Sequence, residues 1–241
     1  MLEAAWWGFV GGAALLLGAA IGVLWDVPHR IVGLVMGFGA GVLFSALAFE
    51  LTAEAYLSAG APPVALGLLT GALVYFAGDE WLDRRGAHRR KNPAGAQPDA
   101  AASALVLGAL LDGIPESAAI GLSLVDGGGV GVAVVTAVFL SNVPEALASS
   151  AGMRKAGQSS RHIFGVWALV TLAGTVAAAL GYGLLGDADP RWVAATQAFA
   201  AGAILTMLAD TMLPEAVEHA GRLVGLVTVL GFVSAFLLSV V

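Results

Sequence analysis

Long, almost uninterrupted runs of apolar residues follow one another along the chain, separated by short polar segments. A helix needs about 20 predominantly apolar residues to cross the hydrocarbon core of a bilayer. The runs are continuously apolar rather than alternating, which indicates helices and not the strands of a barrel. The pattern predicts an all-α, polytopic membrane protein with one transmembrane domain over residues 1–241. The eight predicted spans are about 6–25, 31–52, 62–82, 103–125, 130–152, 163–186, 193–213 and 222–241.

The composition agrees with this interpretation and narrows the function. The chain is 59% hydrophobic and 12% charged, whereas soluble domains carry about 25% charged residues. It has no cysteine, which excludes disulfides and thiolate metal sites. Its net charge of -6 leaves no basic surface for nucleic acid, so no such partner is expected.

The distribution of Lys and Arg predicts how the spans are oriented. If both termini lie outside, 10 of the 11 basic residues fall in inner loops, and Arg191 is the exception. Cytoplasmic loops are enriched in Lys and Arg. We therefore expect an integral protein of a bacterial-type cytoplasmic (inner) membrane, with both termini extracytoplasmic. The longest polar segment, about 83–102, is expected to be a cytoplasmic loop.

Two internal repeats indicate symmetry between the halves of the chain. The sequence at 38–41 in the second span recurs in similar form at 199–202 in the seventh, 161 residues later. The sequence LDGIPESAA at 111–119 is similar to LSNVPEALA at 140–148. Since successive spans alternate in direction, spans one to three and six to eight are expected to be inverted repeats around a central pair. This plan is common in secondary transporters, although small residues alone could produce the similarity between spans two and seven.

The central repeat carries the strongest candidate chemistry. Asp112 and Glu116 share one helix face, as do Ser141 and Glu145, because each pair is four residues apart. A carboxylate near the middle of the bilayer is costly unless it is paired or hydrated. The central segments contain no Lys, Arg or His, so a bound cation or a proton is the natural partner. The alternative is that the Pro-Glu pairs only kink helices and form hydrogen bonds.

Other polar residues extend this site toward both ends of the membrane. The prolines before Glu116 and Glu145 cannot donate to the carbonyl four residues earlier, and this carbonyl, with Asn142, adds oxygen ligands of the kind that metal cations accept. Further residues could line a cation pathway, although those nearest the surface could be ordinary headgroup-level residues. They are Glu50 and Glu54 in the second span, and Asp210, Glu215, Glu218 and His219 in the seventh.

Three features carry a family resemblance: the two Pro-Glu motifs, the Gly/Ala-rich second span that ends in acids, and the DTMLPEA pattern at 210–216. Together they resemble the ZIP (Zrt/Irt-like protein) family of divalent metal transporters. The resemblance implies a prokaryotic member of the family with a divergent metal site. The resemblance covers essentially the whole chain and implies an eight-helix 3+2+3 bundle with a metal site between helices four and five. It also implies movement of zinc or similar ions toward the cytoplasm, and often a homodimer.

The motif also departs from the family. Where members usually have His-Asn-x-Pro-Glu-Gly in the fourth helix, this chain has Asp112-Gly113-Ile114-Pro115-Glu116-Ser117. Ser141 stands where His or Gln is common, and Thr171 is the nearest match to a further glutamate of the sixth helix. We therefore expect one metal ion in an oxygen-only site, which favours harder ions such as Mn²⁺ or Fe²⁺, with Zn²⁺ and Cd²⁺ as further candidates. Its expected ligands are Asp112, Glu116, Ser141, Asn142 and Glu145.

The expected function is transport by alternating access, without enzymatic activity or a prosthetic group. The chain has no phosphate-binding G-x-x-x-x-G-K-[ST] sequence, so we do not expect it to use ATP. One alternative is a relative that has lost or altered metal binding and carries protons or another cation, or acts as a sensor. Another is an intramembrane metal hydrolase, which is disfavoured because no predicted span offers a histidine for a metal-activated water.

Overall fold

The computed structural model describes residues 1–87, 102–125 and 131–239, and all regular structure within these ranges is helical. The described residues form eight helices, and six of these are long and apolar enough to cross a membrane. The prediction of an all-α polytopic membrane protein with eight helices is confirmed. The predicted loop at about 83–102 lies mostly outside the described residues. The helices are α1 Leu2–Leu24, α2 His29–Ala59, α3 Ala61–Leu82, α4 Ala102–Leu122, α5 Val132–Lys155, α6 Ser160–Leu185, α7 Pro190–Ala220 and α8 Leu223–Ser239.

Local sequence explains where several of these helices begin and end. The Ser159 side chain accepts a hydrogen bond from the backbone N–H of His162 at the start of α6, which satisfies one of the donors that a helix start leaves open. Asp189 caps α7 in the same way. Gly60 and Gly221, which are 161 residues apart, end α2 and α7 at φ values of 79° and 65°. Glycine adopts positive φ without steric cost, so both helices stop at equivalent positions of the repeat.

The eight helices pack as two groups of four. In the first group, α1 packs against α5 and α6, and α4 packs against α6. In the second, α3 packs along α7, and α2 packs against α8 and the C-terminal part of α7. The groups meet mainly where α2 contacts α5 and where α4 contacts α7. The five predicted metal ligands all belong to the first group, since they lie on α4 and α5.

Close helix contacts reproduce the inverted repeat. A Cβ at Gly41 of α2 would collide with the carbonyl oxygen of Thr228 in α8, and one at Gly202 of α7 would collide with that of Leu68 in α3. These glycines end the two similar segments at 38–41 and 199–202. In a membrane, small residues let helix backbones approach closely. Glycines at equivalent positions thus make the same kind of close backbone contact in both halves.

Both α2 and α7 contain a π-helical segment, which the sequence analysis did not predict. The segments are Leu47–Ala53 in α2 and Leu208–Met212 in α7. Their first residues are again 161 positions apart. They carry Glu50 and Asp210, two of the residues assigned to a cation pathway. π-Helical turns inside α-helices are frequent at functional sites, so these acids stand on locally irregular backbone in each half of the bundle.

Candidate metal-binding site

The predicted ligands are all buried within the first four-helix group. On α4, Asp112 is 2% exposed and Glu116 is 0% exposed, and they lie one turn apart. On α5, Glu145 is 3% exposed, and Ser141 and Asn142 are buried near it. Both helices continue through their prolines. The fold therefore places three carboxylates inside two neighbouring helices that run in opposite directions.

Ser141 forms the described polar link between these two helices. Its Oγ lies 3.5 Å from Glu116 Oε1 on α4 and 3.0 Å from the carbonyl oxygen of Val138 on its own helix. One hydroxyl hydrogen cannot serve both acceptors well, and the shorter distance to Val138 is the more favourable one. The contact between Ser141 and Glu116 is therefore the weaker of the two.

Asp112 is held from outside its own group. The hydroxyl of Tyr75 in α3 donates a hydrogen bond to Asp112 Oδ1, and both side chains are buried. The sequence patterns predicted no role for Tyr75. The sequence did indicate that Tyr75 needs a polar neighbour, because a tyrosine hydroxyl inside an apolar span requires a hydrogen-bond partner. The partner itself could not be predicted, because the repeat does not pair α3 with α4.

Asn142 and Thr171 both contact the backbone of α1. Asn142 Nδ2 donates to the carbonyl oxygen of Gly11 at 3.1 Å, and Thr171 Oγ1 donates to that of Gly12 at 2.9 Å. A Cβ at Gly12 would lie 3.3 Å from Thr171 Cα. Position 171 is therefore packed tightly against α1, and a longer side chain there would have to displace one of the helices.

The predicted ligands do not converge on one point in this conformation. Within the described ranges, no group of three or more His, Asp or Glu side chains is close enough to hold a metal ion. Glu116 and Ser141 lie together, one oxygen of Asp112 accepts a hydrogen bond from α3, and Asn142 donates one to α1. The five-residue ligand set thus remains a prediction, and cation binding at this place requires a local rearrangement.

The residues predicted to line a cation pathway lie in two helices, toward the C-terminal end of α2 and in the C-terminal part of α7. Glu50 is half-buried and Glu54 is exposed near the end of α2. In α7, Glu215 is buried, His219 is half-buried, and two residues are exposed, namely Asp210 and Glu218. The ring of His219 lies 5.8 Å, centroid to centroid, from that of His29 at the start of α2. His29 was given no role in the sequence analysis.

The long apolar helices and the buried carboxylates define a class, an integral membrane protein that carries acidic side chains inside its helical bundle. No protein-family model matches the chain. The chain is 28% identical, over 211 residues, to a protein of Arabidopsis thaliana named "Putative zinc transporter". The match covers 86% of this chain and 33% of the plant protein, so the chain spans about one third of that relative's length. This similarity confirms the resemblance to metal transporters of the ZIP type that the Pro-Glu motifs indicate.

Proposed function

We propose that this protein is a secondary transporter that moves divalent metal cations across the membrane, toward the cytoplasm, by alternating access. The observation that carries the proposal is the burial of Asp112, Glu116 and Glu145 on α4 and α5. Residues 102–153 contain no Lys, Arg or His that could neutralise them. Since a charged carboxylate is costly inside a membrane, three of them on adjacent helices favour a cation as their functional partner. The name of the plant relative points to the same class of cargo.

The ligand set that we propose is Asp112, Glu116, Asn142 and Glu145, with Ser141 beside them. A divalent cation between α4 and α5 would neutralise three carboxylates that are costly inside a membrane. Ser141 already lies beside Glu116, with 3.5 Å between Oγ and Oε1. All of these ligands are oxygen atoms, which suits harder ions such as Mn²⁺ and Fe²⁺ and still permits Zn²⁺ or Cd²⁺.

A single metal ion per site is the proposed stoichiometry. The family resemblance would place further ligands, for a second ion, at Gly113 and Thr171. Gly113 has no side chain that could bind a metal, and Thr171 donates a hydrogen bond to the Gly12 carbonyl of α1. Thr171 thus stabilises the packing of α6 on α1, and the two positions leave few ligands for a second ion.

The proposed route follows the acids of α2 and α7. A cation enters past Glu50 and Glu54, binds between α4 and α5, and leaves past Asp210 and Glu215, with Glu218 and His219 at the exit. A membrane potential that is negative inside favours entry of a cation by about 2.3 kcal/mol per charge for each 100 mV. The π-helical segments of α2 and α7 would let the helix backbone near Glu50 and Asp210 adjust as the route opens.

The experiment is uptake of Mn²⁺, Fe²⁺, Zn²⁺ and Cd²⁺ into lipid vesicles that contain the purified protein. We expect uptake of at least one ion, and we expect Glu116→Ala combined with Glu145→Ala to abolish it. Glu3→Ala is the matched control, because Glu3 is an exposed glutamate at the start of α1. If the double variant transports every ion as well as the parent protein does, the proposal is wrong.

A binding measurement separates transport from the alternative of a sensor or a carrier of other cations. A cation that binds only the folded protein stabilises it by about 2.7 kcal/mol when present at 100 times its dissociation constant. We expect at least one of Zn²⁺, Mn²⁺, Fe²⁺, Co²⁺ and Cd²⁺ to raise the unfolding temperature of the parent protein and to leave that of the Glu116→Ala, Glu145→Ala variant unchanged. Stabilisation without uptake would favour a sensor. The absence of both stabilisation and uptake would favour a carrier of protons or other cations.

A further inference from the structure

One of the three buried carboxylates is held by a residue of the opposite helix group. Tyr75 of α3 donates its hydroxyl hydrogen to Asp112 Oδ1, and the two residues are 1% and 2% exposed. Since α3 belongs to the second group and α4 to the first, this buried hydrogen bond connects the two groups at the proposed cation site. It commits one oxygen of Asp112 to a fixed partner and so restricts how the carboxylate can turn.

We infer that Tyr75 is a positioning residue that sets the affinity of the site for its divalent cation by fixing the orientation of the Asp112 carboxylate. The inference rests on the proposed function. Carboxylates that bind metal ions are usually hydrogen-bonded by a second residue, and loss of that residue typically lowers metal affinity about 10-fold to 100-fold. A neutral phenol suits the task, because it orients the carboxylate without cancelling the charge that attracts the cation, as Lys or Arg would.

The inverted repeat supplies an internal comparison. Gly71 of α3 and Gly231 of α8 make equivalent close contacts, with the backbone carbonyls of Phe199 and Phe38. Four residues further along each helix stand Tyr75 and Ala235, which are both buried. The two halves thus place a phenol in one and a methyl group in the other at matching buried positions.

The carboxylate differs between the halves in the same way. Asp112 of α4 corresponds to Ser141 of α5 in the repeat of the Pro-Glu motifs. The half with the carboxylate therefore carries the hydroxyl donor, and the half without it carries Ala235. This pairing is what a residue that holds the carboxylate would produce.

The test replaces the hydroxyl alone. Tyr75→Phe keeps the aromatic ring and its packing, so the full-length variant is expected to fold. In detergent, calorimetric titration with Mn²⁺ and with Zn²⁺ should show a dissociation constant raised at least about 10-fold. In vesicles, KM for uptake should rise similarly while the rate at saturating cation is unchanged. The control is Tyr182→Phe, the same chemical change at a half-buried tyrosine of α6, and it should alter neither quantity.

A double-mutant cycle shows whether Tyr75 acts through Asp112. In an Asp112→Ala background, titrated to higher cation concentrations, Tyr75→Phe should have no further effect on the dissociation constant. The inference is overturned if Tyr75→Phe leaves the affinity of the otherwise unchanged protein the same, or if it weakens binding equally when Asp112 is absent. If the parent protein binds none of Mn²⁺, Fe²⁺, Zn²⁺ and Cd²⁺ in the same titration, the proposed function fails as well, which distinguishes that outcome from failure of the role of Tyr75 alone.

Discussion

The contact between α3 and α7 allows a quantitative prediction for Gly71→Ala. A Cβ at Gly71 would overlap the carbonyl oxygen of Phe199 and would lie 2.8 Å from its carbonyl carbon and 3.0 Å from its Cα. Carbon atoms in ordinary contact are about 3.5 to 4.0 Å apart. The obstructing atoms are backbone and cannot rotate away, so α3 and α7 must separate by roughly 1 Å to relieve the contact.

Two opposing free-energy terms set the magnitude. Overpacking of this kind costs about 1 to 3 kcal/mol, whereas Ala is favoured over Gly within a helix by about 1 kcal/mol. Gly71→Ala should therefore lower the free energy of unfolding by up to about 2 kcal/mol. Gly165→Ala in α6 is the matched control, because nothing lies within 4 Å of the added Cβ. It should gain the helix-propensity term alone and stabilise the protein by about 1 kcal/mol.

The measurement is thermal unfolding in detergent, followed by the intrinsic fluorescence of the six tryptophans. For a protein of this size, 1 kcal/mol corresponds to roughly 2 to 4 °C. Gly71→Ala should thus unfold several degrees below Gly165→Ala when both are scanned at the same rate. Gly231→Ala, which meets the Phe38 carbonyl in the other half, should show a shift of similar size. If Gly71→Ala unfolds at or above the temperature of Gly165→Ala, the close packing of α3 on α7 is refuted.

Three further substitutions test single buried contacts by the same unfolding measurement. Asn142→Asp replaces the amide that donates to the Gly11 carbonyl at 3.1 Å with a carboxylate, which can only accept. The metal-free variant should therefore unfold at a lower temperature than the parent. Saturating Mn²⁺ should raise the unfolding temperature of the variant by more than it raises that of the parent. Gln197 Nε2 is buried and has no hydrogen-bond partner among the described residues, so Gln197→Met should stabilise the protein by about 1 to 3 kcal/mol, and an unfolding temperature below that of the parent would contradict this. Trp167→Phe removes the 2.7 Å hydrogen bond to Ser150 and leaves a cavity, so it should destabilise the protein by at least about 1 kcal/mol, and no change would contradict the contact.

The helical frame was predictable from the sequence because its causes are local. Apolar runs of sufficient length predict membrane helices, and the similarity of 38–41 to 199–202 predicts an inverted pair. The π-helical segments of α2 and α7 were not predictable. A π-helical turn shifts the hydrogen bonds by one residue and leaves the composition of the run unchanged, so Leu47–Ala53 and Leu208–Met212 look like ordinary helix in the sequence.

The candidate site was predictable only in part. Proline next to glutamate within an apolar run identifies Glu116 and Glu145, and their burial follows from the fold. The hydrogen-bond partner of Asp112 depends on which helix packs beside α4. The sequence pattern of α4 does not identify that helix. The direction of Asn142 depends likewise on the approach of α1, made possible by small residues such as Gly11. Contacts between helices that the repeat does not relate were therefore the part that sequence reasoning missed.

The difference between the two halves has a consequence for alternating access. In an inverted-repeat transporter, the outward-open and inward-open states are approximately related by exchanging the conformations of the two halves. Identical side chains in both halves would give these states equal energies and equal cation affinities. Here the backbone repeat is closely kept, with Gly60 and Gly221 ending α2 and α7 in the same way, while Tyr75 and Asp112 have Ala235 and Ser141 as counterparts. The hydrogen bond between Tyr75 and Asp112 is thus one difference that can make the two states of the proposed alternating access unequal, and Tyr75→Phe should bring their cation affinities closer together.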